Sequence, residues 1–149
     1  MSVNAGLDAL VLGAGPSGLA IAAALGLESL KVGVLSAHIA EKPWPYTYGI
    51  WGEEVDELGL SRLLKHRWVD TVSFFGEGSR EPASPKNNPT KHDIDYGLFD
   101  KNKLQHYWLR QCNECDVNWY IGIADKLDTS EQSSTVTASE GVQITAKII

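Results

Sequence analysis

The chain has 149 residues, 43% of them hydrophobic and 21% charged, a composition for one globular domain rather than a disordered segment. Its formal net charge of −6 argues against nucleic acid as a partner, because no basic stripe exists to neutralise phosphates. Ala9 to Leu27 carries no charge, yet Gly13-Ala-Gly-Pro-Ser-Gly18 breaks its first half, so it reads as a strand plus a helix rather than a membrane span. No Lys or Arg precedes this apolar run, which makes it a poor secretory signal. The expected location is therefore the cytosol or an organelle stroma, not the secreted state, with any membrane contact peripheral.

Ala9-Leu-Val-Leu12 is predicted as a buried strand that runs straight into Gly13-x-Gly15-x-x-Gly18. In that setting Gly13 turns the chain off the strand, Gly15 admits a pyrophosphate close to the backbone, and Gly18 lets the helix pack near the sheet. Pro16 suits the first helical turn, where its missing N–H has no partner to lose. Ala14 and Ser17 complete the turn, whose free N–H groups and helix dipole favour an anion. Leu19 to Leu27 reads as the helix and Lys31 to Leu35 as a second buried strand. The unit predicts dinucleotide binding. The fingerprint's acid on the ribose is missing, however: Ser36 stands where it is expected and the first acid is Glu41. Ser36 can still offer a hydroxyl, but the motif alone leaves FAD, NAD and NADP open.

An aromatic segment follows, Lys42-Pro-Trp-Pro-Tyr-Thr-Tyr-Gly-Ile-Trp-Gly52. Glu53 to His66 is predicted as a helix from Val55, Leu58, Leu60, Leu63 and Leu64, with acids in its first turn. Thr71 to Phe75 is predicted as a strand ending at Gly76, and Glu77 to Asp95 as a long loop rich in proline. Asp95 to Phe99 reads as a strand, and Asp100 caps a helix over Lys101 to Cys112. Cys112 and Cys115 form one Cys-x-x-Cys near the end of that helix. A redox motif opens a helix, and no second pair or ligand-spaced histidine supports a metal, so they read as structural thiols. Val117 to Ile121 is predicted as the third strand of a parallel sheet. Ala124–Leu127, Ser134–Ala138 and Val142–Thr145 then read as an antiparallel meander. Ala146 to Ile149 is expected to begin one more buried strand, which makes the chain look truncated.

This order is similar to that of two-dinucleotide-binding flavoproteins: an α/β, Rossmann-like FAD-binding domain with an antiparallel meander and an inserted substrate-side segment. Within that group the chain resembles the N-terminal part of lycopene cyclases of the cyanobacterial and plant type. The resemblance rests on Asp8-Ala-Leu-Val-Leu-Gly-Ala-Gly-Pro-Ser-Gly-Leu-Ala20, Pro43-Trp-Pro-Tyr-Thr-Tyr-Gly-Ile-Trp-Gly52, His66-Arg-Trp68 and Tyr96-Gly-Leu-Phe-Asp-Lys101. The first word is shared by many flavoproteins; the second is close to a family signature. The resemblance implies that residues 1–149 form an FAD/NAD(P)-binding portion with 37–116 inserted in it, the rest of the enzyme being missing.

It also implies FAD bound through Gly13, Ala14, Gly15, Pro16, Ser17 and Gly18, with Ser36 at the ribose. NAD(P)H is the implied reductant and no metal is implied. The implied reaction adds a proton to linear lycopene, closes a ring through a carbocation and releases a proton, with β- and ε-ring outcomes both open. A carbocation favours aromatic faces and negative charge. Trp44, Tyr46, Tyr48 and Trp51 could supply the faces and Glu53 or Glu54 the charge, unless the tryptophans are core and the glutamates helix-end acids. The family's acidic protonation motif is expected further downstream, so the catalytic residues are unknown. Two other readings stand beside this one: an FAD-dependent isoprenoid reductase or hydroxylase of the geranylgeranyl reductase kind, and an inactive fragment.

Overall fold

The computed structural model describes residues 2–74, 89–139 and 141–149. In chain order the elements are β1 (Ser2–Leu12), α1 (Pro16–Leu27), β2 (Val32–Ser36), β3 (Gly49–Trp51), α2 (Gly52–Glu57), a 3-10 turn (Ser61–Leu63), β4 (Leu64–Trp68) and β5 (Val72–Phe74). They continue with β6 (Pro89–Lys91), β7 (Tyr96–Phe99), α3 (Lys101–Glu114), β8 (Asn118–Ile121), β9 (Ala124–Thr129), β10 (Ser134–Ala138) and β11 (Gln143–Ile148). The chain divides into two compact units, residues 1–44 with 104–149, and residues 45–103.

The first unit is built on a six-stranded sheet in the order β8-β2-β1-β11-β10-β9. β8, β2, β1 and β11 are parallel, and β11, β10 and β9 are antiparallel. Stepping outward from β1 to β2 and β8, with the fourth parallel strand on β1's other side, gives the strand order of a dinucleotide-binding half. Leu10, Val32, Val34, Val136 and Ile144 are at most 2% exposed. Each such side chain contributes roughly 1.5–3 kcal/mol when taken out of water. Leu19, Ala22 and Ala23 bury the sheet-facing side of α1 completely. Asp8 joins three strands: it accepts from Lys147 Nζ of β11 at 2.6 Å and from the Lys31 backbone N–H ahead of β2 at 2.9 Å. These bonds, Lys147 first, hold its carboxyl below the ordinary range.

The predicted first strand, helix and second strand are present, as is Val117–Ile121, which pairs parallel to β2 as β8. The end of the chain differs. Residues 142–145 and 146–149, read as two strands, are bridged by one strand, β11 (Gln143–Ile148), which pairs antiparallel to β10 and parallel to β1. Ile144 and Ala146 alternate inward with no turn residue between them, so nothing interrupts the strand.

The second unit holds a three-stranded sheet, β3-β7-β4, and the β5–β6 pair. The helix predicted over Glu53–His66 stops after Glu57. Gly59, at φ +66°, ends it: its N–H donates to Asp56 O and that of Leu60 to Val55 O, the two bonds of a Schellman stop. Val55 and Leu60, both buried, supply the accompanying apolar contact position. Leu63 and Leu64 therefore match the helical period by coincidence; they lie in the 3-10 turn and in β4. Part of the predicted proline loop is also strand, since Pro89–Lys91 pairs with β5, and proline is tolerated at the first position of a strand. The strand end at Phe75–Gly76 and the loop over residues 77–88 lie outside the described residues.

His66-Arg-Trp68, Gly49-Ile-Trp51 and Tyr96-Gly-Leu-Phe99 lie side by side: Trp51 and Trp68 both pair with Tyr96 across β7. Trp51 meets the Tyr96 ring edge-on at 5.1 Å. Arg67 reaches over this sheet, giving Nη1 and Nη2 to the Asp56 carboxylate at 2.9 and 2.8 Å and Nε to Asp95 at 2.8 Å. The Arg67 guanidinium, together with the Ser61 hydroxyl, holds Asp56 at about 2. Asp56 is depressed in the folded chain, so its contribution is present above the ordinary carboxylate value and is lost as pH falls through the folded one. Arg67→Ala should lower the melting temperature at pH 7. The deficit should shrink between about pH 4 and pH 2, as read by thermal melts of both chains across that range.

Candidate functional site

The glycine turn leaves the carboxyl end of β1, and the Gly13 N–H donates to Leu35 O of β2 at 2.8 Å. Gly13 lies at φ +104°, a conformation that L side chains rarely adopt. A Cβ at Gly18 would collide with the carbonyl oxygen of Gly13, so only glycine lets the first turn of α1 come this close to the strand. Gly15 caps the helix with no side-chain hydrogen bond, and Pro16 opens it. The Leu19 N–H closes the first helical bond to Gly15 O at 2.9 Å, so the N–H groups of Ser17 and Gly18 have no intrahelical acceptor. No acid occupies this first turn. A Cβ built on Gly15 meets no atom within 4 Å. The turn is thus an open cradle with free N–H donors at the positive end of a helix, the arrangement that accepts a phosphate.

Ser36 ends β2 at the same carboxyl edge of the parallel strands, where ligands of such sheets sit. Its Oγ accepts from the His38 N–H at 3.5 Å, and its carbonyl accepts from the Gly122 N–H at 2.8 Å. Ser36, His38, Ile39, Glu41, Trp119 and Ile121 line a pocket of about 140 Å³ there. Glu41, the first acid after the fingerprint position, lies five residues beyond Ser36 and lines the same pocket. Its sequence signal was only that it is the first acid after β2; the turn that brings it back is a matter of tertiary packing.

The aromatic segment divides. Trp44 is 6% exposed and its indole Nε1–H donates to Ala14 O at 2.8 Å, so it is a buried support of the glycine turn. Nothing in the sequence pointed to that bond, which spans thirty residues. Tyr46, Tyr48 and Trp51 belong to the second unit, where Tyr46 is exposed and Trp51 sits against Tyr96. Glu53 and Glu54 are exposed in the first turn of α2 and complement that helix end. Cys112 is fully buried, donates to Leu19 O of α1 at 3.5 Å, and is pushed up to about 11 by burial. Its thiol stays protonated at neutral pH, as expected of a structural cysteine.

A family model described as lycopene cyclase protein matches residues 8–149. A lycopene beta cyclase from Synechococcus elongatus is 44% identical over 142 residues, covering 95% of this chain and 32% of that protein. Among solved structures, a geranylgeranyl bacteriochlorophyll reductase-like protein from Thermoplasma acidophilum superposes with a TM-score of 0.64 at 14% identity, covering 96% of this chain and 38% of that one. The halogenase PltM, solved with phloroglucinol and FAD, gives 0.62 at 11% identity, with 95% and 33% covered. These likenesses show a Rossmann-like fold. The chain spans about a third or less of the length of the curated relatives it matches.

The two glycines of the turn should part company on substitution. Gly18→Ala forces the helix away from Gly13 O and should lower both the melting temperature and the affinity for ADP. Gly15→Ala meets no protein atom and should leave the folding stability within about 1 kcal/mol of wild type, while weakening ADP binding at least tenfold. Calorimetric titration and thermal melts of the two variants read both effects.

Proposed function

The chain belongs to the lycopene cyclase family, and on that premise we propose that it forms the FAD-binding N-terminal part of an enzyme that closes the linear ends of lycopene into ionone rings. We place that enzyme's inserted substrate-side segment within residues 37–116, of which residues 45–103 form the second compact unit, while residues 37–44 and 104–116 belong to the first. The observation that carries the reading is the unbroken family match over residues 8–149, which takes in both the glycine turn and the three strand words of the second unit.

The residues present fit FAD. Gly13, Ala14, Gly15, Pro16, Ser17 and Gly18 offer the pyrophosphate a cradle that a Cβ at Gly15 would occupy, with donors and no competing acid. Ser36 and Glu41 offer a hydroxyl and a carboxylate to the ribose from one pocket. When bound, the flavin supplies redox chemistry fed by NAD(P)H, although ring closure itself has no net redox. A proton adds to the end of the linear carotene, the carbocation is attacked by a neighbouring double bond to close the ring, and a proton leaves. Atoms and charge balance without a leaving group. The apolar substrate fits an enzyme working beside a membrane, and no helix among the described residues is long and apolar enough to cross one.

Expression of the full-length protein in a lycopene-accumulating bacterium tests the reading. Monocyclic or bicyclic carotene, together with flavin absorbance in the purified protein, is the expected result. Saturated isoprenoid double bonds would replace it with the reductase reading. Unchanged lycopene beside flavin-loaded protein would overturn it. The 149-residue chain expressed alone should leave lycopene unchanged.

A further inference from the structure

We propose that Trp44 is a positioning residue that sets the direction of the Gly15 N–H toward the bound pyrophosphate, and that Gln105 holds Trp44's segment in place to do so. The proposal rests on the dinucleotide reading of the turn and adds to it a residue outside the glycine motif.

Ala14 sits between two glycines, where the backbone is least restrained. The peptide linking Ala14 to Gly15 is planar and trans, so the Ala14 carbonyl and the Gly15 N–H point in opposite directions. Fixing one fixes the other. Rotation of this peptide about its flanking bonds would turn an oxygen, rather than an N–H, toward an anion in the cradle. The Trp44 indole prevents that rotation by donating to Ala14 O at 2.8 Å from a site that is 6% exposed. Indole nitrogen is a donor only, so this contact specifies a carbonyl and cannot accept the flipped N–H.

Trp44 is itself held. Gln105 on α3 is 5% exposed and uses its side-chain amide Nε2 on two backbone oxygens, Ala40 and Lys42, both at 2.8 Å. A closing turn from the Lys42 N–H to Ile39 O, 3.1 Å, completes the support. The result is a path that runs by hydrogen bonds from α3 to residues 40–42, along the chain to Trp44, and by its indole to the glycine turn. Holding the donor in place before the anion arrives is preorganisation, which raises affinity by removing a cost of binding.

ADP and adenosine distinguish this role from a general contribution to folding, because only ADP carries the pyrophosphate. In the full-length protein, Trp44→Phe keeps an apolar ring and removes the donor. It should weaken ADP about fivefold to tenfold, the usual effect of one lost hydrogen bond, and leave adenosine binding unchanged. Equal ADP affinity in the two proteins overturns the proposal, as does an equal loss for both ligands. Wild-type protein that binds neither ADP nor FAD would instead overturn the dinucleotide reading and this proposal with it. Should Trp44→Phe not fold, NMR of the wild type decides: the Trp44 indole and Gly15 amide resonances should move together on adding ADP and stay still with adenosine. An indole resonance unmoved at saturating ADP overturns the proposal.

Discussion

Between the first turn of α1 and the carbonyl of Gly13 there is no room for a side chain. That close approach puts Leu19, Ala22 and Ala23 onto the sheet, where all three are fully buried. It also aims the open end of the helix at the carboxyl edge of β1 and β2. The remaining strands gather around this pair. β8 extends the parallel side, and β11 joins β1 on the other while serving as the last strand of the meander. α3 then closes on α1 through small contacts: Cys112 donates to Leu19 O, and a Cβ at Gly26 would run into Cys115. The two cysteines are thus explained by helix–helix packing.

The second unit is organised by a different force. Its sheets are short and three of its strands are only three residues long, so little apolar area is available per strand. Arg67 compensates by using a planar fork against two carboxylates, Asp56 in the last turn of α2 and Asp95 ahead of β7. Such a fork specifies geometry as much as energy, because both acids must approach in its plane. The Gly52 N–H, donating to Asp95 O at 2.7 Å, fixes the same segment from the backbone side. Trp51, Tyr96 and Trp68 then line up across three strands, which brings parts of three of the four words that resemble the family onto one sheet.

Parts of this structure were legible in the residues for identifiable reasons. The β1–α1–β2 unit announces itself because strand, glycine turn and helix follow one another locally and each has its own periodicity. The helix read over Lys101–Cys112 is equally plain and extends to Glu114, with Asp100 Oδ1 accepting from the Asn102 and Lys103 N–H groups at 3.1 Å. The helix expected over Glu53–His66 failed because apolar residues from separate elements, Val55 of α2, Leu63 of the 3-10 turn and Leu64 of β4, fall by chance on one helical face. Its stop, Leu58-Gly59-Leu60, was outweighed by that pattern. β6 was hidden because its partner β5 lies across a long intervening segment, and proline argued against a strand.

Local chemistry determined the dinucleotide turn, the α/β class and the family, because a glycine with its close neighbours, a cap or a run of alternating residues acts over a few positions. Only the tertiary structure decided that Gln143–Ile148 form one strand, since a strand is defined by the partners on both its edges. It also decided which acid shares a pocket with Ser36, and that Trp44 faces the glycine turn rather than a substrate. Those outcomes depend on contacts between segments far apart in sequence, and the direction of such a contact is set by packing that no local pattern encodes.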